Sequence, residues 1–60
     1  MNKLIEFGQK VEFILDYNWE GEGIIHGIWG NHVVVELSKP CKEFGIGEML
    51  IVGHDELVLI

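Results

Sequence analysis

The sequence contains no arginine. Lys3, Lys10, Lys39 and Lys42 are its whole cationic supply against ten acidic residues, giving a formal net charge of −6. Phosphate backbones are held mainly by Lys and Arg, so a nucleic-acid groove is disfavoured, and an anionic membrane surface is disfavoured for the same reason. The single cysteine, Cys41, excludes an intrachain disulfide and fits a reducing compartment. Long apolar runs are missing too. The longest, residues 49–52 and 57–60, fall far short of the roughly 20 residues a membrane helix requires. Residues 1–7 carry one lysine and no extended apolar stretch, so no secretory leader is expected and the cytoplasm is the expected location.

What the sequence does hold is glycine, eight in sixty residues, at positions 8, 21, 23, 27, 30, 45, 47 and 53. Nearly every ten-residue window has one, which leaves no room for a long helix. Short β-branched runs lie between them, the pattern of strands separated by turns. Sixty residues suffice for one domain, and a chain of this size buries only about 60% of the surface it exposes when unfolded. Its 48% hydrophobic content is high for so surface-dominated a molecule. Either the core is well filled, or some apolar surface faces another chain.

Lys10–Leu15 alternates, with Val11, Phe13 and Leu15 on one side and Lys10, Glu12 and Ile14 on the other, as expected of a half-buried strand. Residues 16–22 read as a polar loop carrying Tyr17 and Trp19. Residues 23–29 read as a second strand. Its Ile25 and Ile28 are three apart, so a bulge near Gly27 is needed to place both inside. Gly30-Asn31-His32 is a tight turn, and residues 33–37 form a valine-rich third strand with Val33, Val35 and Leu37 on one face. Residues 38–47, with Pro40, Cys41 and Phe44, are a loop. Residues 48–52 are a fourth strand, Gly53-His54-Asp55 a turn, and residues 56–60 a short closing strand. Residues 1–7 stay open between an added edge strand, one helical turn and a flexible arm.

Five short strands, one of them bulged, are best covered by curling the sheet on itself, which buries one face and protects the edges. The expected fold is therefore all-β, a small five-stranded barrel. Its expected core is Val11, Phe13, Ile25, Ile28, Val33, Val35, Leu50 and Leu57. Leu4, Ile5, Ile14 and Val34 have no evident place in so small a core, and self-association into a homo-oligomer would cover them.

The segments Gly8-Gln9-Lys10-Val11, Gly23-Ile24-Ile25-His26-Gly27-Ile28, Val33-Val34-Val35-Glu36-Leu37 and Asp55-Glu56-Leu57-Val58-Leu59-Ile60 resemble, in that order, the strands of small SH3-like barrels. These include the KOW-type ribosomal and transcription modules and the photosystem accessory subunit built from one such barrel. The resemblance spans residues 8–60 and implies an SH3-like barrel fold. Such folds host unrelated functions. The basic residues with which KOW-type modules grip RNA are missing here. An acidic chain of this size and type looks like a phage or bacterial accessory protein.

Four groups of side chains invite a chemical reading. Tyr17, Trp19, Trp29 and Phe44 are aromatics beside loops and glycines, and Trp and Tyr supply most interface hot spots. The competing reading is that large aromatics close the edge of the core. His26, His32, His54 and Cys41 are zinc-type donors, but their spacing contains no paired ligand element, and scattered surface histidines are the better account. Cys41 between Lys39 and Lys42 is a conceivable nucleophile, yet sixty residues leave little room for a walled pocket. Asp16, Glu20 and Glu22, with Glu12 near them, form an acidic stretch without the ligand order of a calcium loop; a solvated loop is the plain alternative. No glycine-rich phosphate cradle is present.

These readings favour a non-enzymatic accessory or regulatory protein, a phage-type modulator or inhibitor among the options, without metal or cofactor, that binds a protein partner. The expected binding surface is Asp16, Tyr17, Trp19, Glu20 and Glu22, with Trp29 and Phe44 alongside, and it suits a basic, partly apolar face. Two alternatives stand beside it: a nucleotide- or nucleic-acid-binding SH3-like module, and a self-assembling structural subunit.

Overall fold

Alternation along Lys10–Leu15 becomes a strand, β1, in a computed structural model that describes residues 5–58. Val11 and Phe13 are buried, while Lys10, Glu12 and Ile14 are exposed. The remaining strands are β2 (Trp19–Trp29), β3 (His32–Leu37), β4 (Met49–Gly53) and β5 (Leu57–Val58), with a 3₁₀ turn at His54–Glu56 between the last two. All neighbours pair antiparallel in one sheet of order β4-β3-β2-β1-β5. The fold is all-β among the described residues, with no α-helix and hence no helix long and apolar enough to cross a membrane.

Residues 16–22 are not the polar loop the sequence suggested. The β1–β2 connection is only Asp16, Tyr17 and Asn18, since Leu15 already pairs with Trp19. Trp19, Glu20 and Glu22 are strand residues of β2. The strand extends through two glycines because a neighbour occupies the space of the absent side chain at each. At Gly21 it is the ring of Phe13; at Gly23 it is the Glu36 carbonyl and the Val35 side chain. This requirement comes from packing, so local sequence reads it as loop punctuation.

The bulge expected in β2 is present. Ile25 pairs with Val35 and Gly27 with Val34, which leaves His26 as the extra residue. The shift sets Ile28 opposite the buried Val33. Ile28 is nevertheless 40% exposed and is not a core residue, because it stands one residue from the strand end, at the rim of the sheet. Leu57 is also outside the fully buried set and packs against it.

The core holds Val11, Phe13, Ile25, Val33, Val35 and Leu50 as expected, and adds Leu37, Val52 and Cys41. Cys41 arrives from the 38–47 loop. Its backbone N–H donates to the Phe44 carbonyl and the Phe44 N–H to the Cys41 carbonyl, each 2.9 Å. That clasp turns the thiol inward and lays Phe44 half-buried over the core. No polar side chain is buried among the described residues.

Before β1, Ile5 packs partly against the core and Gly8 donates to the Ile25 carbonyl at 2.7 Å. Residues 5–7 form neither strand nor helix. The rest of the 1–7 segment, Leu4 included, and the end of the expected fifth strand, Leu59 and Ile60, lie outside the described residues.

Candidate functional site

Three residues make the tight β1–β2 turn, and two of them, Asp16 (φ +52°) and Tyr17 (φ +60°), sit in the left-handed region. Aspartate visits that region readily, but for tyrosine it costs roughly 1–2 kcal/mol. Nothing covers Tyr17 in return, for its side chain is fully exposed. A bulky aromatic held in a costly conformation without packing is the kind of outlier that points to function.

Tyr17 stands over an open groove of about 460 Å³. Ile14 and Val58 supply its apolar side from β1 and β5, Leu57 adds to it, and Asp16, Asp55 and Glu56 set carboxylates around it. His32 and Gly53 also line it, and no lysine is among the lining residues. The 3₁₀ turn brings Asp55 and Glu56 here by carrying the chain from β4 to β5. It is tied in place by the Gly53 N–H, which donates to Glu56 Oε1 at 2.8 Å. Asp16 already holds a cation, with Lys42 Nζ 3.0 Å from its Oδ2. The Asp16 carboxylate is largely exposed and that lysine sits on a flexible stem, so another ammonium can take its place.

The other expected site residues scatter. Glu22 is a structural acid. It faces Glu12 directly across β1–β2, an arrangement that repels, and Lys10 Nζ at 2.8 Å and Lys39 Nζ at 3.8 Å offset it. The hydrogen bond from Lys10 is the main reason the Glu22 carboxyl lies below its usual value, and that same bond raises the Lys10 ammonium. Trp19 stands on the core-facing side of the sheet opposite Leu15, 43% exposed. It lines no part of the groove. Glu20 lies on the outer face beside Glu12 and Lys39. Trp29 occupies the opposite end of the eleven-residue β2 from Trp19, and Phe44 packs on the core. Of the seven residues, then, only Asp16 and Tyr17 converge on this groove. Asp55, Glu56, Ile14 and Val58 were missed. A charged pair just ahead of an edge strand was the available signal for the first two.

Cys41 is buried, 4% exposed, so its thiol has no open face toward a substrate. Among the described residues, no three His, Cys, Asp or Glu side chains gather in a metal-binding arrangement. His26 instead pairs with Glu36 across the bulge, Nε2 to Oε1 2.6 Å. The chain matches no protein-family model, no curated protein and no solved structure.

Proposed function

We propose that this chain is a non-enzymatic accessory module, an SH3-like barrel, that binds a basic, partly apolar segment of a partner protein in the groove beneath Tyr17. The observation that carries this reading is the groove's composition. An apolar floor of Ile14 and Val58 is ringed by Asp16, Asp55 and Glu56, with one fully exposed aromatic beside it. Such an arrangement divides the work. The apolar floor and Tyr17 supply desolvated contact area, while the carboxylates speed encounter and select charge. The overall charge of −6 acts in the same direction at longer range. The barrel assignment draws support from the strand order, with β5 beside β1, and from the 3₁₀ turn that leads into β5. A bacterial or phage accessory role in the cytoplasm is the reading that accords with an acidic chain of this size and type and with its single cysteine.

The test uses a set of short peptides that alternate lysine with leucine, and a matched set with glutamate in place of lysine. Binding is read by titration calorimetry against the wild type, Asp55→Asn and Tyr17→Asn. The basic set binds and the acidic set does not. Tyr17→Asn weakens binding by at least about 1 kcal/mol, the threshold for an energetically important contact. It also stabilises the fold by up to roughly 1 kcal/mol, because asparagine tolerates the left-handed backbone. A Tyr17→Asn chain that binds with wild-type affinity, or equal binding of both peptide sets, would overturn the reading.

A further inference from the structure

The strand order leaves β4 at one edge of the sheet, and among the described residues nothing pairs on its outer side. The hydrogen bonds at either end of the β3–β4 ladder fix which way each residue of β4 faces. His54 N–H donates to the Asn31 carbonyl at 2.8 Å and Leu37 N–H to the Glu48 carbonyl at 2.9 Å. Antiparallel pairing alternates, so Leu50 and Val52 aim their backbone groups at β3, while Met49 and Ile51 aim theirs away from the sheet. The next outward group, the Gly53 N–H, is already taken by Glu56. The open edge is therefore two residues long, with two donors and two acceptors.

The side chains of these two residues lie on the outer face, Met49 half exposed and Ile51 72% exposed. They continue a strip that crosses β3 at Val34 and ends on β2 at Trp29, which is 79% exposed. Gly27 leaves a shallow apolar groove between Trp29, Val34 and Ile51. Glu36 stands on the same face directly across from Met49, and its carboxylate is engaged by His26.

We infer that β4 is the seam of a symmetric dimer, in which a second copy of this chain pairs antiparallel through its own β4, Met49 of each copy opposite Ile51 of the other. The edge dictates the register. Only this alignment uses both open residues on both copies, and it closes four backbone hydrogen bonds about a two-fold axis through Leu50. It also sets Met49 and Ile51 of the two copies side by side on the outer face, so the two apolar strips join into one. Charge selects the occupant. Each copy carries a charge of −6, so two copies meet favourably only where carboxylates are few, and on this strip the single one, Glu36 across from Met49, is held by His26. A basic partner gains nothing there. A stable interface hides about 800 Å² on each side, roughly a fifth of the chain's 4366 Å². The four hydrogen bonds alone do not reach that area. Trp29, and Ile46 in the loop leading into β4, both largely exposed, are the side chains that extend the contact.

The seam is independent of the groove beneath Tyr17, and its test needs no ligand. Sedimentation equilibrium of the full chain from about 10 µM to about 1 mM follows the association by mass action, and amide exchange is recorded over the same range. The dimer population rises with concentration, and the Met49 and Ile51 amides gain protection along with it. Ile51→Lys leaves a charge at a desolvated contact and raises the dissociation constant by roughly tenfold or more. Phe7→Ser, at an equally exposed apolar residue elsewhere, leaves that constant unchanged. If Ile51→Lys fails to fold, the wild-type amide exchange still decides. A wild type that stays monomeric throughout, or one that dimerises without protecting those two amides, overturns the inference. So does a monomer that instead captures a foreign strand on β4.

Discussion

A methyl group at position 21 would land on the Cε1 and Cζ atoms of Phe13, whose ring is itself buried and has nowhere to go. Gly21→Ala should therefore cost about 1–3 kcal/mol, as overpacking of a filled core does. Gly45→Ala, where the new carbon meets only the tip of Glu48 at 3.6 Å, should be close to neutral. Urea denaturation measures both: a lower midpoint at unchanged slope is expected for the first and no change for the second. Equal midpoints would mean that Phe13 does not pack as described. The same glycine marks a limit of sequence reading. Gly21 and Gly23 flank Glu22 and follow Glu20, a composition that favours loop. They are strand residues because Phe13 and Glu36 lie against them, and those partners stand on the neighbouring strands, outside the local stretch. Leu37 and Val52, by contrast, are absent from the expected core although local alternation points to both. Each alternates with a neighbour already assigned to the core, Leu37 with Val35 and Val52 with Leu50.

At the scale of elements, β1 and β3 could be read directly, since alternation in one and the valine run in the other are local signals. The β2 bulge was legible from the spacing of Ile25 and Ile28, but the exposure of Ile28 was not, because the position of the sheet rim depends on where β3 begins. The candidate groove was only half legible for a related reason. Asp16 and Tyr17 stand in one turn, whereas Asp55 and Glu56 reach them only because β5 pairs back onto β1. The β1–β2 ladder also carries the clearest pH effect. The Glu22 carboxyl is held below its ordinary value of 4.5 by Lys10. Its contribution to stability is present above that ordinary value and is lost as pH falls through the lowered folded value. The stability gap between wild type and Glu22→Gln should thus be widest near neutrality. It should close on acidification from about pH 7 to about pH 3, a range that spans the titration of carboxylates. Urea titrations of both proteins across that range check it, and a gap independent of pH would show that Lys10 does not pair with Glu22 in solution.

For the molecule as a whole, ten acids against four lysines mean that folding concentrates negative charge. Salt screens that self-repulsion, so the melting temperature should rise as sodium chloride increases from roughly 10 mM to roughly 0.5 M, over which the screening length falls to a few ångströms. Binding of a basic peptide should move in the opposite direction, weakening over the same interval because its approach is electrostatically assisted. Calorimetric melts and peptide titrations at matched salt concentrations give both signs. A melting temperature that falls with salt would place the ion pairs of Lys10, Lys39 and Lys42 above the net repulsion in weight.

The pairing of Glu12 with Val58 and of Phe13 with Leu57 joins residues more than forty positions apart, and this has a consequence in time. The β1–β2 and β2–β3 hairpins close over a few residues each, so their ladders form early and at small entropic cost. The β1–β5 ladder closes a loop spanning most of the chain, and in exchange it has only two described pairs. Proteins dominated by such distant pairings fold in milliseconds to seconds, and local ones in far less. A four-stranded meander, β1 to β4, with the outer side of β1 still open is thus the natural late precursor. Because Leu57, Val58, Asp55 and Glu56 all arrive with that last step, the groove beneath Tyr17 is the final part of the molecule to be assembled and the first to come apart.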